Sequence, residues 1–254
     1  MDYSFVAKLM IHIGGRYILL AGLAFLFFYV WKKQRFTAQK IQNTYPQARD
    51  YRREVGFSLL TILIFALVTG LLLKHPEITP HTKRYYAISD KGWWWYFMAF
   101  PIMLFLHDSW FYFSHRLMHH PRLFKWFHRV HHRSTNPSPW AAYAFHPLEA
   151  MVEVTIVPIF LFSLPLHISH LVIFFLFMIA YNVYGHLGFE ILPTKVRASK
   201  WGRWINSSTH HNQHHQYFKG NYSLYFLFWD KAFGTEKLRP TKAVRLPNPK
   251  RMLT

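Results

Sequence analysis

The chain has 254 residues, 52% of them hydrophobic and 20% aromatic, with no cysteine and a formal net charge of +19. That length fits one or two domains, and the missing thiols exclude disulfides, iron–sulfur clusters and thiolate catalysis. A mean hydropathy of +0.02 is too low for a chain that is membrane throughout, so apolar blocks must alternate with polar, basic ones.

The first apolar run, Tyr17 to Trp31, extends toward the N-terminus through Phe5 to Ile13. It has no small-residue cleavage site before the basic exit at Trp31–Lys33, so it reads as a span rather than a signal peptide. Phe57 to Leu73 forms a second run, and Trp93 to Phe113 a third, broken only by His107, Asp108 and Ser109. Trp93, Trp94, Trp95 and Tyr96 at its start have the composition of an interfacial aromatic belt. Met151 to Leu187 is long enough for two spans joined by a tight turn around Leu164–His170. Roughly 17–25 apolar residues cross a bilayer as a helix, so four or five membrane helices are expected, some of them short.

Lysine and arginine set the orientation. Of 30 such residues, 24 fall in three segments: Lys32–Arg53, Arg116–Arg133, and Lys195 onward. Basic loops stay on the cytosolic side, so all three segments are expected there, with residues 151–187 forming a returning hairpin. The charge is then topological. No nucleic-acid-reading module accompanies it, and no nucleic-acid partner is expected. Segments 1–92, 93–239 and 240–254 divide as N-terminal helices with a basic loop, a catalytic domain, and a loose basic tail.

Eighteen histidines are unevenly placed, with seven between His107 and His132 and four between His210 and His215. His115 and His119 stand four apart in HRLMH. His128, His131 and His132 in HRVHH have offsets of zero, three and four, which His211, His214 and His215 in HNQHH repeat. On a helix such positions share one face, so each box is expected to present its imidazoles to a common point. Eight imidazoles exceed the four ligands of one tetrahedral zinc and suit two metals. Imidazole accepts Zn, Cu, Fe or Ni, so the residues alone leave the metal open. A solvated or packing histidine pair is the ordinary reading of one box; three spaced boxes are not explained that way.

His186, in NVYGHLGFE at the end of the last run, is a further candidate ligand, since polar residues near a membrane are costly. His107, Asp108, Asn182 and His210 are candidates for a supporting layer, with Asp108 placed to accept a ligand's second N–H or to make a helix–helix contact. His146 is left out of the ligand set. A zinc-dependent lipid hydrolase at the membrane is the main alternative, and would need a carboxylate base beside the boxes.

From His107 to Glu236 the chain resembles the fatty acid hydroxylase / sterol desaturase superfamily. The resemblance rests on HDSWFYFSHRLMHH, FHRVHHRSTNPSPWAAYAFHPLE, NVYGHLGFE and STHHNQHHQYFKGNYSLYFLFWDKAFGTE, and is strongest to the C-5 sterol desaturase branch. It implies an all-α fold, an integral membrane bundle of about four helices with a cytosolic histidine-rich metal-binding cap. It implies two irons, with zinc as a substitute in purified material, O2 as co-substrate, and hydroxylation or desaturation of a lipid. It also carries over His115, His119, His128, His131, His132, His211, His214 and His215 as ligands and matches His186. Some members have a second histidine four residues before that one; here the position is Asn182, which leaves the coordination on that side open. A fused electron-transfer domain is not expected, so electrons would come from a separate donor protein.

Overall fold

A computed structural model describes residues 2–241. Most of the basic tail expected at 240–254 therefore lies outside the described residues. Among the described residues the chain is helical, with only isolated bridges such as Lys40 to Phe189 and no extended sheet.

Helix α1, Tyr3–Phe25, is started by the Asp2 carboxylate, which accepts from the Phe5 amide, and continues through a widened turn to Trp31. Helix α2, Ala48–Lys74, opens on a reciprocal cap in which the Gln47 amide donates to Asp50. Both are long and apolar enough to cross a membrane, as is α7, Ile168–Gly185. Helix α3, Gly92–Met118, has 27 residues and is as long as α2, but its tryptophans, Tyr96, His107, Asp108 and Arg116 dilute its hydropathy. It therefore falls outside the three span-like helices. The expected pair of spans over 151–187 forms only in part. Its first limb breaks at Thr155 into α5, Pro147–Val154, and α6, Ile156–Ser163, while the turn falls at Leu164–His167 as expected.

The helices share two ends. At one, the Lys83 amide donates to Leu161 O, the Tyr85 amide to Leu166 O, and the Trp95 indole to Pro165 O. That ties the α2–α3 loop and the start of α3 to the α6–α7 turn. At the other end lie the start of α2, the close of α1, α3 and α7, and all the histidine boxes. Short α4, Pro121–Phe127, and buried α9, Ser208–Tyr217, belong to that end, with α8, Thr194–Arg197, and α10, Phe228–Ala232, completing the chain.

The middle is held by the segment Ser134–Tyr143, laid against α1 and α2. Tyr17 and Ser58 hydroxyls both donate to Trp140 O, and Ser138 donates to the buried Glu54 carboxyl. Ala21, Ala66 and Ala99 are fully buried and let the helices approach closely, while Tyr17 stacks on Tyr143.

Candidate metal centre

The nine histidines singled out by spacing converge on two neighbouring points. His115, His119, His128, His132 and His214 form one group, and His131, His186, His211 and His215 the other. Within each group the ligand atoms all lie within 4.8 Å of one another. Eight of the nine are buried, His214 and His215 completely.

The boxes do not each address one point, as their spacing suggested. In HNQHH, His211 and His215 serve one group and His214 the other; in HRVHH, His128 and His132 part from His131. Helical geometry explains the split for α9. At about 100° per residue, positions i and i+4 differ by about 40°, whereas i+3 falls on the other side of i, about 100° from i+4. One box can thus reach two sites on either side of it. HRVHH does so from a tight turn beyond α4 rather than from a continuous helix.

The nitrogen geometry tests whether metals fit. Nε2 of His214 lies 3.0 Å from that of His132 and 3.1 Å from that of His119, which are themselves 3.1 Å apart. In the second group the Nε2 atoms of His186, His211 and His215 are separated by 3.0, 3.1 and 3.2 Å. Protons cannot satisfy such triangles, because one N–H bridges only one pair of nitrogens, and in several of the rings the outer nitrogen already holds the proton. His115 Nδ1 donates to Tyr222 O at 2.8 Å, His214 Nδ1 to Gly220 O at 2.7 Å, and His186 Nδ1 to Asn182 O at 2.8 Å. A carbonyl only accepts, so each of these rings turns a lone pair inward. A metal about 2.0–2.1 Å from each nitrogen, with ligands at right angles, would set neighbouring nitrogens about 3 Å apart. The residues present fit that arrangement.

Burial, reinforced by the neighbouring imidazoles, holds His131, His132, His211, His214 and His215 well below the ordinary histidine pKa, and His186 down to about 4. The rings are therefore neutral, the form that binds metal.

Outside the ligand groups, one partner went unread in the sequence. Glu149 is buried, and its carboxyl bonds His128 Nδ1 at 2.6 Å. It sits at the third helical position of α5 after His146–Pro147, with no spacing that links it to a histidine box. His146 itself only caps that helix, through a bond with the Leu148 amide.

The Gly220 and Tyr222 carbonyls are aimed by two successive positive-φ residues, Gly220 (84°) and Asn221 (56°). A side chain at 220 would collide with Thr235 O. Buried Asp230 fixes this loop by accepting from the Tyr222 and Ser223 amides at 3.0 and 2.9 Å and from Thr235 Oγ1 at 2.6 Å.

The expected supporting layer is corrected in part. Asp108 accepts from the Tyr225 amide at 2.7 Å, not from a ligand, because α3 turns it toward segment 224–226. His107 bonds the Tyr225 hydroxyl at 2.9 Å, and His210 pairs with Ser207 as the α9 cap; neither joins the metal groups. Asn182 does contribute, but through its backbone carbonyl. Its side chain donates to Ala142 O and leaves the second group with four histidines against five in the first.

The Fatty acid hydroxylase family model matches residues 100–235. The chain is 30% identical over 231 residues to a Delta(7)-sterol 5(6)-desaturase of Gibberella zeae, covering 88% of this chain and 66% of that protein. It is 32% identical over 201 residues to one from Aspergillus fumigatus, with 73% and 62% covered. A lathosterol oxidase of Rattus norvegicus is 30% identical over 227 residues, with 88% and 72% covered. The chain belongs to the fatty acid hydroxylase family, in its sterol desaturase branch. It spans just under two thirds of the length of the fungal relatives named here. No solved structure matches it.

If Glu149 orients His128, Glu149→Gln should weaken metal binding about 10- to 100-fold, while His146→Ala should leave it unchanged. Metal competition titrations on the two purified variants measure this; equal affinities would remove Glu149 from the site.

Proposed function

We propose that this protein is a membrane-bound di-iron oxidoreductase that uses O2 to hydroxylate or desaturate a lipid. The observation that carries the reading is the pair of adjacent nitrogen clusters. Five donors in one group exceed the four of a structural zinc site, and open positions beside four donors leave room for an oxidant. Two irons, when bound, would supply the oxidising chemistry on O2, with electrons drawn from a separate donor protein. The named activities of the relatives, sterol desaturation and lathosterol oxidation, are of this class.

The chain's own residues hold, orient and exclude. The nine histidines would be the ligands. Glu149 and the carbonyls of Tyr222, Gly220 and Asn182 fix ring orientation. A narrow apolar cavity of about 100 Å³ opens between α1, α2, α3, α5, α6 and α7. Its inner end is walled by Phe111, Phe145 and Asn182, which adjoin His115, His131 and His186 respectively. A hydrocarbon lying there would reach the metals while water is kept out. Glu149 is committed to His128, so it is not the free carboxylate base that a zinc hydrolase requires.

α3 would act as a fourth crossing despite its lower hydropathy, since it joins the same two ends as α2. The histidine end would face the cytosol, because the basic loop 32–53 and the boxes lie together there. Residues 93–239 would form the catalytic domain.

Lipid profiles of cells with and without the protein should differ in one hydroxylated or newly unsaturated lipid. His131→Ala or His214→Ala should abolish that difference with membrane insertion intact; an unchanged profile in either variant would refute the ligand assignment. Reporters fused after Lys33 and after Leu238 should both report the cytosol, and opposite sides would overturn the orientation.

A further inference from the structure

Arg16 is an arginine within the apolar body of α1, and its side chain lines the apolar cavity. The guanidinium carbon lies 5.9 Å from the centre of the Phe175 ring, and the Nε atom is sealed from solvent without a partner. Among the described residues, none of the ion pairs involves Arg16. Glu153 lines the same cavity but does not pair with it. His12, one turn earlier on the same helix face, also lines the cavity. The wall around them is apolar, with Phe65, Leu171 and Val172.

A guanidinium stays charged under all ordinary conditions. Held in a low-dielectric cavity without an anion, it is costly, and such intramembrane charges are normally matched. No acidic group among the described residues pairs with Arg16, so the counter-charge has to arrive with the ligand. A planar, singly charged carboxylate suits a guanidinium fork, taking two parallel N–H bonds. A neutral sterol hydroxyl would leave the charge unmatched, and a phosphodiester headgroup would have to leave the bilayer surface to reach this depth.

The position sets a length. Phe175 precedes His186 by eleven residues on α7, about 16 Å along the helix axis. A carboxylate held at Arg16 would thus leave a long hydrocarbon arm running up the cavity to the metal end.

We propose that Arg16 anchors the substrate, and that the substrate is a long-chain lipid bearing a free carboxylate, oxidised far from its acid group. This rests on reading the histidine centre as a lipid oxidase.

The test uses the full chain in lipid nanodiscs, loaded with iron, and a fluorescent long-chain fatty acid as the displaceable probe. Palmitate should displace the probe at least about tenfold better than hexadecanol or cholesterol, the effect of a charge-assisted bidentate contact. Arg16→Met should lose that advantage and Arg16→Lys should keep part of it, with metal content and melting temperature unchanged in both. The comparison of acid with alcohol in the unaltered protein needs no variant, so misfolding of one variant does not blunt it. Palmitate bound no better than hexadecanol, or equally well by Arg16→Met, would overturn the anchor. Oxygen consumption with electrons supplied by a reductant separates the two readings. Acid binding through Arg16 without oxygen uptake from any lipid refutes the oxidase and leaves the anchor standing. Uptake driven by cholesterol, with binding indifferent to Arg16, does the reverse.

Discussion

Imidazole lone pairs crowded into one end of this helical chain repel one another, and the structure is organised around that repulsion. Eight of the nine rings are buried, and the burial that keeps them neutral also denies them water. Only a cation between them reconciles the closest nitrogens. The carbonyls of Tyr222, Gly220 and Asn182, together with Glu149, take the outer protons of His115, His214, His186 and His128 and so commit the inner nitrogens of those rings to that role. Without metal this end should lose stability, because binding to a site that forms only on folding adds to the folding free energy.

That constraint accounts for α9. Its sequence, STHHNQHHQY, has no apolar stripe, yet Ser208 through His215 are all buried. Several of its polar groups are satisfied from different directions: Thr209 by Glu190 at 2.6 Å, the Asn212 side-chain oxygen by Gln42 at 2.9 Å, and Gln213 by the Arg239 backbone at 2.7 and 2.8 Å. Gln42 belongs to the loop between α1 and α2, so that loop helps build the histidine end as well as linking two helices. Nearby Lys40 is buried with its ammonium 3.2 Å from Gly188 O and packed near Tyr29, Tyr45 and Phe189, the kind of setting that lowers its pKa to about 8 by desolvation.

Much of this was legible in the sequence because it is local. Histidine offsets of three and four named the residues that come together, and the apolar runs named α1, α2 and α7. What was not legible is long-range. Nothing in HPLE ties Glu149 to His128, and nothing in WDKAFGTE shows Asp230 bracing the loop whose carbonyls orient His115 and His214. Proximity in sequence points Asp108 toward a ligand, but helix phase turns it to the backbone of Tyr225. The break at Thr155 was hidden by an apolar run whose length alone suggested two unbroken spans. Nothing around Arg16 in the sequence sets it apart; its meaning depends on the cavity wall, which is assembled from six helices.

The proposed chemistry depends on the two histidine groups holding two irons side by side. Metal analysis of the iron-loaded, purified protein tests this most directly, compared with His215→Ala, which removes a ligand from one group only. About two irons per chain, falling toward one in the variant, is the expected result. Well under one metal per chain after loading, or an unchanged stoichiometry in the variant, would contradict it.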